Sequence, residues 1–181
     1  MKKLLILLIV VAFSVTVNAQ FTKATLKASG LTCSMCSKAV KVALEKVDFV
    51  QEVKVDIKSQ DYVLVFKQSG HVEFDALSKA VEDAGFSVAS LKASGNFADV
   101  KAAKDSHAKV AGLNIHFLNG TDETLTGEKT ITIVDKNFLS AKEFKKYANT
   151  TKHTCVQTGV SGDCCTKEGI AAHERVYHVI I

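Results

Sequence analysis

The chain of 181 residues contains no proline, and it has no long hydrophobic run beyond its first twenty residues. The missing run excludes a membrane span in the remainder of the chain. The missing proline excludes a cis-proline of the kind that thioredoxin-like enzymes place beside their reactive thiols. Net charge is also small, because the 23 basic residues fall to 21 without Lys2 and Lys3, against 19 acidic ones. This balance, with no basic run, argues against nucleic-acid binding.

The N-terminus has the pattern of a secretory signal. Lys2 and Lys3 precede an apolar run from Leu4 to Phe13, and small residues end at Ala19. The run is about half of the roughly 20 residues that a spanning helix needs. We therefore predict a signal peptide over 1–19, a periplasmic or secreted location, and no membrane association after cleavage.

Between Phe21 and Leu91 the hydrophobic periodicity alternates between that of strands and that of helices. The order is strand, helix, strand, strand, helix, strand, in which Val53, Val55 and Ile57 belong to the second strand. The first helix is predicted from about Ser37. This order is the split βαβ arrangement of a ferredoxin-like α+β domain, which we place at 21–93.

Two cysteines, Cys33 and Cys36, follow Gly30 at the start of the first predicted helix. A helix N-terminus lowers the pKa of a thiol, and the thiolate is the form that binds soft metals. The alternative is a structural or redox-active disulfide between Cys33 and Cys36.

The motif Gly30-Leu31-Thr32-Cys33-x-x-Cys36, together with Glu82-Asp83-Ala84-Gly85-Phe86 at the end of the second helix, resembles the heavy-metal-associated domain. That family includes copper chaperones, N-terminal domains of soft-metal ATPases and periplasmic mercury-binding proteins, and the resemblance covers about 22–92. It implies metal transfer by ligand exchange, with Cys33 as the more exposed sulfur and Phe86 shielding the site. Leu31 departs from the Met that is usual in the family, which is a tolerable apolar exchange.

The predicted metal is Cu(I), with Hg(II) or Zn(II) as alternatives. A Cu(I) bis-thiolate carries one net negative charge, which the helix N-terminus and the nearby Lys38 and Lys41 would stabilise. The same thiolate pair neutralises Hg(II). Zn(II) is less favoured because it takes four ligands, and Thr32 stands where a further carboxylate would help.

A second small α+β domain is predicted over 110–181, after a linker at 94–109 that carries a short helix near Phe97 to Lys104. Alternation predicts strands at Leu113 to Phe117, Thr130 to Ile133 and the C-terminus. Ser140 and Glu143 have the spacing of a capping box that opens a short helix.

The second domain also holds a loop rich in cysteine and histidine. Cys155, Cys164, Cys165 and His153 form a possible second soft-metal site, with His173 and His178 nearby in sequence. No standard zinc spacing matches, and a disulfide from Cys155 to Cys164 or Cys165 is the competing interpretation. The remaining histidines, His71, His107 and His116, are isolated in the sequence and are interpreted as solvated or half-buried structural residues.

Together these features predict an exported, non-enzymatic protein that binds and transfers a soft metal ion. Its partner would be a metal-donating or metal-accepting protein such as a soft-metal transporter. The alternatives are a thiol-disulfide exchange enzyme that uses Cys33 and Cys36, a mercury-binding scavenger, or an interaction module with a vestigial metal site.

Overall fold

The computed structural model describes residues 19–56, 58–68 and 70–181. The predicted signal peptide, apart from Ala19, and the predicted strand residue Ile57 lie outside the described residues. The elements of the N-terminal half are β1 (Gln20–Ser29), α1 (Ser34–Glu45), β2 (Val50–Asp56), β3 (Asp61–Phe66), α2 (Phe74–Asp83) and β4 (Ser87–Lys101). The C-terminal half contains β5 (Ser106–Val110), β6 (Leu113–Phe117), β7 (Thr124–Ile133), a 3-10 turn (Lys136–Phe138), α3 (Ala141–Ala148), α4 (Cys155–Thr158), α5 (Asp163–Thr166) and β8 (Val176–Ile180).

The described strands form one eight-stranded sheet in the order β2-β3-β1-β4-β7-β8-β6-β5. The first four strands pair antiparallel and, with α1 and α2, reproduce the predicted βαββαβ order. In the C-terminal half, β6 and β8 are parallel, whereas β5–β6 and β7–β8 are antiparallel. The protein is thus a mixture of helix and sheet throughout, with a ferredoxin-like N-terminal half.

The two long helices pack through apolar side chains on one face of each helix. α1 buries Val40 and Leu44, and α2 buries Phe74, Leu77 and Val81. These side chains share one hydrophobic core with residues of the C-terminal strands, which include Ile115, Phe117, Tyr177 and Val179. The core therefore continues from one half of the chain into the other.

The segment 94–109, predicted as a linker with a helix near Phe97 to Lys104, is strand in the structure. β4 continues to Lys101, and β5 begins at Ser106. The helix prediction was wrong because Phe97, Val100 and Lys101 pair with β7, and such pairing overrides the helix propensity of Ala and Lys. That 21–93 and 110–181 each fold alone remains a prediction.

The Arg175 side chain joins the two halves. Its Nε donates to Asp75 Oδ2 at 2.6 Å and its Nη2 donates to Asp75 Oδ1 at 2.9 Å. These two bonds form a bidentate ion pair between the residue that precedes β8 and the first turn of α2. Nη2 also donates to Asp135 Oδ2 at 3.2 Å, and the Tyr177 hydroxyl donates to Asp75 Oδ2 at 3.2 Å. The part of the chain that the structure describes contains no apolar helix of the length that a bilayer span requires.

Candidate metal centre

Cys33 and Cys36 lie at the N-terminus of α1. Gly30 has a positive φ of 85°, which lets the chain turn sharply out of β1, and Cys33 is the extended N-cap residue. The helix begins at Ser34, three residues earlier than predicted, because the Cys33 sulfur accepts a hydrogen bond from the Cys36 amide at 3.3 Å. The thiol thus replaces the Ser, Thr or Asp side chain that more often caps a helix.

The two sulfurs lie 2.7 Å apart, and both are free thiols. Cys33 is exposed and Cys36 is half-buried. Hydrogen bonding to the Cys33 side chain first, and to the Thr32 backbone second, lowers the pKa of the Cys36 thiol below its ordinary value. The pair, which we call the clamp, therefore places the Cys36 thiol, with its lowered pKa, beside the exposed Cys33 sulfur.

The residues around the clamp match a site of low coordination number. The Thr32 hydroxyl lies 3.9 Å from the Cys36 sulfur, and the Met35 side chain is 70% exposed. Phe86 lies against the Gly30 loop, where a Cβ on Gly30 would be 3.8 Å from the Phe86 ring. Lys41 pairs with Glu45 one turn later in α1. The clamp alone thus offers two sulfur ligands at the protein surface.

The three C-terminal cysteines come together, and His153 joins a second group of ligand atoms that shares Cys155 with them. Cys164 Sγ lies 3.7 Å from Cys155 Sγ and 3.4 Å from Cys165 Sγ. In the described part of the chain all three are free thiols, without the disulfide that was the competing interpretation. Burial raises the pKa of the Cys155 thiol well above its ordinary value, so without a cation it stays protonated.

Four histidines surround Cys155, and the interpretation of His107 and His116 as isolated residues was wrong. The two rings stack with centroids 4.2 Å apart, and those of His153 and His178 lie 5.0 and 5.1 Å from that of His116. Both His116 and His178 are fully buried.

The pairing of His107 with His116 depends on a tight turn, for which Gly112 is the sequence signal. Ala111 and Gly112 both have positive φ, as a two-residue hairpin turn requires, and Val110 pairs with Leu113. His107 and His116 lie at equal distances from this turn and are therefore cross-strand partners. The exposed His71 and His173 lie outside the cluster.

Comparison with known proteins identifies the N-terminal half. The heavy-metal-associated domain matches residues 25–87. The mercuric transport protein periplasmic component of Pseudomonas fluorescens is 40% identical over 86 residues, which are 48% of this chain and 93% of that protein. The probable copper-exporting P-type ATPase of Archaeoglobus fulgidus is 28% identical over 64 residues, 35% of this chain and 8% of the ATPase.

Among solved structures, oxidized MerP from Ralstonia metallidurans CH34 has 33% sequence identity and a TM-score of 0.35, covering 39% of this chain and 96% of that one. The split βαβ order and the paired thiols define a metal-binding domain. Given the 40% identity over 93% of a mercuric transport protein, the chain belongs to the heavy-metal-associated domain family. The aligned region is 48% of this chain, and the domain itself matches residues 25–87.

Proposed function

We propose that this protein binds a soft metal ion at Cys33 and Cys36 and passes it to a partner protein, without catalysing a reaction. The observation that carries the proposal is the clamp itself, two free thiols at an accessible helix N-terminus within a heavy-metal-associated domain. Two thiolates satisfy a two-coordinate soft ion, whereas Zn(II) takes four ligands, or three and a water.

Cu(I) is the ion that the local charge favours. A bis-thiolate complex of Cu(I) carries one net negative charge, so the positive end of α1 and the exposed Lys38 stabilise it. The Hg(II) complex is neutral and gains little from either. Hg(II) is the second candidate, because a relative 40% identical to this chain is named a mercuric transport protein.

Transfer follows from the unequal exposure of the two sulfurs. A thiolate of the partner forms a bond to the ion as the bond to exposed Cys33 breaks, and then the Cys36 bond is exchanged in the same way. The ion keeps its charge, and no electron is transferred. A partner with its own soft ligands, such as a soft-metal transporter, suits this exchange. The predicted signal peptide and the periplasmic name of the relative support an exported location.

Competitive titration of the reduced full chain with Cu(I), Hg(II) and Zn(II) tests the proposal. The Cys33→Ser and Cys36→Ser variants should each lose one tightly bound Cu(I) per chain. Met35→Ala, an exposed change within the same loop, is the matched control and should keep it. An insulin reduction assay runs in parallel, and turnover without tight metal binding would refute the proposal in favour of thiol-disulfide exchange.

A further inference from the structure

A buried cluster of histidine and cysteine lies in the C-terminal half, outside the matched domain. His107 on β5, His116 on β6, and His153 and Cys155 at the entry to α4 each offer one ligand atom, and these four atoms all lie within 4.8 Å of one another. His116 is fully buried, Cys155 is 1% exposed, and the His107 side chain is 2% exposed. The fold thus brings four ligand groups from three segments together, with His116 and Cys155 buried and His107 and His153 half-buried.

Ring nitrogens of this cluster lack partners. Among the described residues, His107 Nε2 and His153 Nδ1 are buried side-chain atoms with no hydrogen bond. A buried polar atom without a partner destabilises a fold, and native structures contain few of them. A metal ion would accept the lone pairs of both nitrogens at once.

A carboxylate lies beside the opposite side of two of the rings, hydrogen-bonded to His107 and, at Asp105, close to His116 without a hydrogen bond. Glu168 Oε2 lies 3.1 Å from His107 Nδ1, and Asp105 Oδ1 lies 3.5 Å from His116 Nε2. The other nitrogen of His116, Nδ1, lies 3.6 Å from Cys155 Sγ. Histidines that bind metals commonly donate their second ring N–H to a carboxylate, which fixes the tautomer and orients the ligand nitrogen.

The geometry points to a second metal centre formed by His107, His116, His153 and Cys155, which binds Zn²⁺ in a closed tetrahedral site. Three imidazoles and one thiolate are a ligand set that Zn²⁺ accepts with four-coordinate geometry. One thiolate leaves the complex with a single positive charge, which Glu168 and Asp105 offset. The set is harder than the two sulfurs of the clamp, so the two sites prefer different ions.

This ligand set differs from the possible second site predicted from the sequence. Cys164 contacts both Cys155 and Cys165. The ring nitrogens without hydrogen bonds, however, belong to the histidines, among them His107 and His153. His178 Nε2 also lies 3.3 Å from Cys155 Sγ, while its Nδ1 contacts buried Asp135 at 2.6 Å. We place Cys164, Cys165 and His178 around the ligand shell rather than in it.

The test uses the full chain with the clamp removed by Cys33→Ser and Cys36→Ser, kept reduced by a non-thiol reductant. Zn²⁺ stoichiometry is measured against a chromogenic chelator, and Co²⁺ serves as a spectroscopic probe. We expect one Zn²⁺ per chain, and a tetrahedral Co²⁺ spectrum with a thiolate charge-transfer band. Zero divalent ions bound, or a Co²⁺ spectrum without that band, would overturn the assignment.

Variants in the same background identify the ligands. His153→Gln, at a half-buried position, should weaken Zn²⁺ binding by about 100-fold or more, and Glu168→Gln, at an exposed one, by about 10-fold. His173→Asn is the matched control, since His173 is exposed and its positive φ of 64° suits Asn. The double variant Cys164→Ser/Cys165→Ser should retain Zn²⁺.

Two results would contradict the ligand assignment. One is loss of Zn²⁺ in the Cys164→Ser/Cys165→Ser protein with binding intact in His153→Gln. The other is unchanged affinity in both His153→Gln and Glu168→Gln. Circular dichroism confirms that each variant is folded, and Glu168→Gln keeps the test decisive where His153→Gln unfolds. Since the clamp is absent from every protein compared, failure of Cu(I) binding at Cys33 and Cys36 does not affect this outcome.

Discussion

Replacing Arg175 with Gln should destabilise the protein far more than removing an exposed ion pair of the same length. Arg175 makes the bidentate contact to Asp75, donates to Asp135, and donates to the Gly159 carbonyl at 3.0 Å. Its guanidinium also lies over the Tyr177 ring, 4.2 Å from the centroid. Glutamine keeps part of the length but removes the charge and the planar fork of donors.

The magnitude follows from the burial of the groups that lose their partner. Breaking a buried ion pair costs about 3–5 kcal/mol, whereas exposed pairs contribute about 0–1 kcal/mol. The side chains of Arg175 and Asp75 are 29% and 33% exposed, and that of Asp135 is only 6% exposed. The site lies between the two limits, so we expect a loss of about 2–3 kcal/mol in the free energy of unfolding.

Lys23→Gln is the matched control. Lys23 Nζ lies 2.6 Å from Glu128 Oε1, the same distance as the shortest Arg175 contact, but the two side chains are 51% and 62% exposed. Its loss should cost under about 1 kcal/mol. Urea denaturation at neutral pH measures both variants, and Cu(I) affinity at the clamp should be unchanged in each. Equal destabilisation by the two substitutions would refute the reasoning from burial.

Three further predictions concern metal-free protein in chelator. Burial lowers the pKa of His116 to about 2, so below about pH 6.5 the unfolded chain takes up a proton that the folded chain excludes, and the free energy of unfolding decreases as the pH is lowered. His116→Asn should reduce the dependence of this free energy on pH by about 1.4 kcal/mol per pH unit, measured by urea titrations between pH 6 and 4. Gly95→Ala should lower the unfolding free energy by about 1–3 kcal/mol, because a Cβ would lie 2.5 Å from the Gln20 carbonyl oxygen; an unchanged denaturation midpoint would contradict this close approach. Tyr62→Phe should cost about 1–2 kcal/mol, since the buried hydroxyl lies 2.9 Å from Ser37 Oγ and donates to the Ser37 carbonyl; thermal melts measure it.

The N-terminal half was predictable because its signals are local. The alternation in β1 to β3 and the apolar faces of α1 and α2 each lie within one element, and the clamp lies in a four-residue span. The continuation of β4 was not predictable, because Ala93 and Gly95 become strand through partners in β1 and β7, and Phe97 through a partner in β7 alone. Propensity is a weak guide where pairing decides.

The buried cluster shows the same limit for sites. The sequence indicated His153 and the three C-terminal cysteines because they are close along the chain. Residue spacing gives no information about groups that are distant in sequence but close in space. His107 and His116 join them through the β5–β6 hairpin, and His178 joins through the parallel pairing of β6 and β8. Gly112 marks the turn of that hairpin in the sequence, but Ala111, which also has a positive φ, is not a residue that indicates such a turn.

The length of β4 also bears on how the protein avoids self-association. In a four-stranded sheet of order β2-β3-β1-β4, β4 would be an edge strand, and its unpaired amides and carbonyls would be a template for another chain. Here β7 covers that edge along most of its length, and the outer strands of the larger sheet are β2 and β5. The C-terminal half thus replaces the 15-residue β4 with the 5-residue β5 as the outer strand, and a short edge is a weaker template for another chain. The N-terminus of α1 stays open to solvent.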